Sequence, residues 1–202
     1  MTVSYLHEGL VALFRERPIV LLDLLRSAHG IELAPASLVQ LDTADLTDLD
    51  PAERRADLVL LCLGEGGRPV YGLIVEVQLA PDPDKPYRWP AYAAVLRDRR
   101  RCPVDVLAVS VDPALARSLA APVALGRGAS VFQALVIGPE AVPLVVEPAE
   151  AVRAPELAVL SALAHRESEA GVDAAFAALA AALGLDERRQ GLYVDLVWAA
   201  LS

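Results

Sequence analysis

The sequence predicts an α/β fold: a central mixed sheet with helices on both faces, followed by a C-terminal helical extension. Three observations predict it. Residues 58–63 form an apolar run, Gly64-Glu65-Gly66-Gly67 a turn, and a second apolar run ends in Glu76-Val77-Gln78, which together read as a hairpin of two buried strands. A helix-length stretch then leads to a third run at 104–111, and strand, crossover helix and strand make a parallel pair. From Pro148 the composition changes and no convincing strand follows. The expected division is a core over residues 1–147 and a helical extension over 148–202, packed on that core.

The elements follow in order. Residues 4–17 carry Leu6, Leu10, Leu13 and Phe14 on one stripe, with Ser4 as N-cap, and so read as an amphipathic helix. Pro18 opens a second, well-buried helix that Gly30 closes. Residues 31–42 read as irregular or briefly extended, and residues 43–51 as an acidic, solvated loop. After the hairpin, Pro81, Pro83 and Pro86 mark a loop, and residues 87–101 a helix with a basic end. The run at 104–111 is apolar on both faces, which implies a central strand. A short helix from Pro113 and strands at 123–126 and 131–137 complete the core. Residues 155–165, 172–183 and 186–201 read as three further helices.

Composition narrows the class. A chain of 202 residues with 55% hydrophobic residues can bury a sizeable core and is not a disordered one. No apolar run reaches the ~18 residues of a membrane span, and no secretory signal is visible. Cys62 and Cys102 make no disulfide framework, so a reduced cytoplasmic protein is expected. His7, His29 and His165 lack zinc-site spacing. The net charge of −9 argues against binding nucleic acid by bulk attraction, although a local basic patch remains compatible with it.

The chemistry concentrates in the hairpin. In a strand, residues i and i+2 share a face, so Glu76 and Gln78 point one way while Val75 and Val77 point into a core. Asp57 stands where the first strand begins. Carboxylates carried into apolar strands are costly unless paired, hydrogen-bonded or holding a metal. A simple polar pair at a strand edge is the plainer reading; a site is the sharper one.

Asp57, a hairpin and then Glu76-Val77-Gln78 resembles the PD-(D/E)xK nuclease superfamily, and within it the recombination-promoting, transposase-like group, whose strand motif commonly ends in Gln. The resemblance spans roughly residues 5–112. It implies a restriction-endonuclease-like core and a Mg²⁺-dependent endonuclease acting on DNA, with Mn²⁺ as a possible substitute. It assigns Asp57, Glu76 and Gln78 to catalysis. Asp57 and Glu76 become metal ligands, joined by Glu8 of the first helix, and Gln78 positions the attacking water in place of a Lys. Tyr87, Arg88, Arg97 and Arg100 of the basic helix become phosphate contacts, with helix capping and a solvated face as the alternative. A non-catalytic module that binds protein or nucleic acid is the alternative function, with the C-terminal helices mediating self-association. A homodimer is the expected assembly.

Overall fold

The computed structural model describes residues 5–30, 38–42, 56–127 and 129–201. The Ser4 cap and the acidic loop at 43–51 lie outside the described residues. The chain opens with helices α1 (Tyr5–Glu16) and α2 (Ile19–His29). Strands β1 (Leu38–Asp42), β2 (Leu58–Leu63) and β3 (Pro69–Val77) follow. Helix α3 (Lys85–Arg100) leads to β4 (Val104–Val109) and helix α4 (Pro113–Leu119). Then come β5 (Val123–Ala124), β6 (Val131–Phe132) and β7 (Leu135–Ile137). Helices α5 (Pro148–Arg153), α6 (Pro155–Ala164), α7 (Gly171–Ala182) and α8 (Glu187–Leu201) end the chain.

The fold is α/β with a five-stranded mixed sheet in the order β1-β2-β3-β4-β7. β2 runs antiparallel to both β1 and β3; β4 runs parallel to both β3 and β7. The turn of the β2–β3 hairpin needs Gly66 and Gly67, whose φ of 70° and 73° lie in the left-handed region. β4 lies inside the sheet, between β3 and β7, as its two apolar faces predict.

The strand alternation sorts side chains into two cores. Leu58, Leu60, Leu73, Val75, Val77, Leu107 and Val109 face one layer, where α1, α2 and the C-terminal helices contribute Phe14, Leu21, Val159, Tyr193 and Leu196. Val59, Ile74, Val106 and Ala108 face the other, where α3 contributes Trp89, Tyr92 and Leu96. Glu76, one residue from Val75 and Val77, therefore points to the α3 side.

Several elements differ from the sequence reading. α3 begins at Lys85, two residues early, which places Pro90 in its second turn, where the ring cannot donate to the Pro86 carbonyl. The expected strand 131–137 breaks in two: β6 pairs with β5 in a small separate sheet, while β7 joins the main one. At the break, Gln133 Nε2 donates to the Ala120 carbonyl at 3.0 Å and Ala134 is buried in the α3-side core. The expected strand 123–126 shortens to two residues. α5 had no forecast: it is six residues long and stops at Ala154, whose φ of −138° is non-helical before Pro155.

Candidate active site

The hairpin register places the two carboxylates. Leu58 pairs with Val75 across the antiparallel strands, so one more step brings Asp57 level with Glu76 at the end of the ladder. Asp57 Oδ2 accepts the Val77 amide N–H at 2.7 Å, which ties the start of β2 to the end of β3. The same oxygen lies 3.3 Å from His7 Nε2, reaching in from the first turn of α1. His7 is raised in pKa by its hydrogen bond to Asp57, against the opposing effect of burial.

Glu76 is wholly buried. Lys85 Nζ meets its Oε2 at 2.5 Å, and Gln78 Nε2 donates to the same oxygen at 3.5 Å. Burial pushes the Glu76 carboxyl up to about 7, the Asp57 charge adds to the rise, and Lys85 pulls against it. The Trp89 indole also lowers it, but in a geometry that completes no hydrogen bond. Glu76 Oε1 and Trp89 Nε1 are buried with no hydrogen-bond partner among the described residues. A buried carboxylate oxygen without a protein partner is expensive and calls for a partner, a water or an ion.

The structure thus brings together Asp57, Glu76 and Gln78, and adds two groups that sequence reasoning passed over. Lys85 is the chain's only lysine, yet it sits in a proline-rich stretch that reads as a loop. Its uniqueness among 18 basic residues was the available signal. His7 reads as a capping or surface residue, because the resemblance points to its neighbour Glu8 as the first helix's contribution to the site. Glu8 is exposed, and it is His7 rather than Glu8 that meets Asp57.

Of the expected phosphate-contacting residues, two are exposed and two are held by carboxylates other than Asp57 and Glu76. Tyr87 is 82% exposed. Arg88 pairs with Asp84 at 2.8 Å, one turn back on the protein surface. Arg97 is exposed near the far end of α3. Arg100 grips Asp42 of β1 through two bonds of 2.7 and 2.6 Å, so it ties α3 to the edge of the sheet.

Among the described residues no group of three or more His, Cys, Asp or Glu side chains is arranged to hold a metal ion. Two carboxylates with one unpartnered oxygen still suit Mg²⁺, which typically binds through one or two carboxylates and completes its shell with water and phosphate. Among the described residues, no helix is long and apolar enough to cross a membrane. No family model, curated protein or solved structure matches the chain.

Proposed function

We propose that this chain is a metal-dependent endonuclease of PD-(D/E)xK type that hydrolyses phosphodiester bonds in DNA. The observation that carries the reading is the unpartnered, fully buried Glu76 Oε1 at the ladder end that Asp57 shares. Support also comes from the element order, in which N-terminal helices precede an antiparallel hairpin, a basic helix and a parallel strand, as the resemblance to a restriction-endonuclease-like core leads one to expect.

Asp57 and Glu76 would hold the Mg²⁺, which when bound supplies a polarised phosphate and a more acidic water. Asp57 is fixed by the Val77 amide, so its carboxylate is preorganised rather than mobile. Gln78 can hold a water through its amide oxygen but carries no charge. Lys85 brings the missing positive charge to Glu76 from the start of α3, where it can also meet the charge that builds on phosphate oxygens. His7 faces Asp57 and stands within reach of protons at the site's outer side.

The test is nicking of supercoiled plasmid by purified protein with Mg²⁺ or Mn²⁺, beside an Asp57→Ala, Glu76→Ala double variant, with Mn²⁺ calorimetry on wild type and Asp57→Ala. Nicking by wild type alone is expected, with Mn²⁺ affinity falling by about a hundredfold or more in the variant. Equal Mn²⁺ binding by both proteins would sink the metal assignment. Absence of cleavage with any metal, from folded protein, would favour the non-catalytic module. Val172 and Phe176, exposed one turn apart on α7, and Leu183 just past its end would then be its first candidate surface.

A further inference from the structure

A cleft of about 380 Å³ opens beside the site. Pro86, Trp89, Leu119, Pro122 and Phe132 are among its walls, which are drawn from α3, α4 and the β5–β6 region, with Asp82 at the loop before α3. Lys85 lines it and also bonds Glu76, so the cleft adjoins the carboxylates through that side chain. The volume falls within the range of about 300–1,000 Å³ of small-molecule sites, which are likewise mostly apolar with a few polar groups.

We infer that this cleft takes a nucleobase from the strand being cut, and that the preferred substrate is therefore DNA with unpaired bases. The inference rests on the nuclease reading above and names its substrate class. Three observations carry it. Lys85 lines the cleft and bonds Glu76, which would put a base held there on a nucleotide near the reacting phosphate. Prolines and aromatic rings offer flat apolar surfaces on which any base can stack. The chain's charge of −9 limits what phosphate attraction can contribute, and Arg88, Arg100 and Arg101 are already paired with Asp84, Asp42 and Asp98. Stacking supplies affinity that net charge does not. A base inside a duplex reaches such a cleft only by leaving its stack, which costs a few kcal/mol; an unpaired base enters freely.

Fluorescence anisotropy tests this with a short labelled single-stranded DNA, its duplex, and the same strand made abasic, in Ca²⁺ to hold back cleavage. Wild type is expected to bind the single strand about tenfold more tightly than the duplex or the abasic strand. Ser118→Trp, which fills the cleft from an exposed position, and Phe132→Ala, which removes a wall, should each abolish that preference while binding Mn²⁺ as wild type does. Equal affinity of wild type for the single strand and its abasic form would overturn the assignment without help from either variant, and so would variants that keep the preference. Mn²⁺ binding and cleavage without any strand preference would sink the cleft alone. Absence of both Mn²⁺ binding and cleavage would sink the nuclease reading and the cleft with it.

Discussion

At Glu76 two demands oppose each other. Ligating a cation requires the carboxylate form, whereas burial on the α3 side of the sheet favours the acid, which is why the group sits up at about 7. A carboxyl whose folded pKa lies above its ordinary 4.5 contributes stability below that value and loses it as pH rises through about 7. The full interval is worth roughly 3 kcal/mol. Glu76→Gln, which keeps the shape and removes the charge, should therefore raise the metal-free melting temperature by about 5–10 °C at roughly pH 8 and change it little at roughly pH 5. Calorimetric melts at the two pH values decide it, and an equal shift at both would mean that Glu76 ionises as an exposed carboxyl does. Much of the site was legible at this scale, since Asp57, Glu76 and Gln78 are charged or polar groups embedded in apolar strands. Lys85 was not: its meaning comes from the turn that loop 78–84 makes, which no local pattern encodes.

Helix α3 sets the depth of the site, because Lys85 opens it and Trp89 lies one turn on. Its seat on the sheet depends on a gap in the side-chain row of β3. A Cβ at Gly72 would stand 3.0 Å from Val104 Cγ2 and 3.2 Å from Leu96 Cδ2, so the glycine lets α3 approach β3 and β4 closely. Gly72→Val adds three carbons to that contact and should destabilise the fold by about 1–3 kcal/mol. The lost stability appears as a lower urea midpoint with the slope unchanged; an unaltered midpoint would show that α3 packs loosely there. β2, β3 and β4 were readable because strand-length apolar runs bounded by turn residues announce buried strands, whereas β1 falls in a stretch that reads only as irregular or briefly extended. The division of 131–137 was not, since Gln133 and Ala134 interrupt the strand through tertiary contacts rather than through a turn signal. α5 escaped for a related reason, as six residues hold too few turns to show a helical period.

For the molecule as a whole, the decisive relation is between the sheet and the helices that follow it. The composition change at Pro148 invites a boundary there, yet Ala158, Val159, Leu163, Tyr193, Leu196 and Val197 share one buried cluster with Leu73, Val75 and Leu107 of the sheet and with Phe14 of α1. Tyr193 also donates to the buried Glu156 at 2.9 Å, which fixes α8 against α6. Gly9 of α1 stands so close to Leu196 that an added Cβ would fall within 2.5 Å of it, so α1 and α8 meet directly. α1 carries His7, and through it the packing of α8 bears on the Asp57 side of the site. Cutting the chain after residue 147 would expose the apolar face that α1, α2 and the sheet present to α6–α8, and the fragment would lose a large share of its hydrophobic stabilisation. The full chain should unfold in urea in one transition, superimposable by tryptophan fluorescence and far-ultraviolet circular dichroism. The fragment 1–147 should instead lack a cooperative transition and bind a hydrophobic dye. Cooperative unfolding of that fragment, with Mn²⁺ binding retained, would show that the core folds alone and that residues 148–202 are an addition to it.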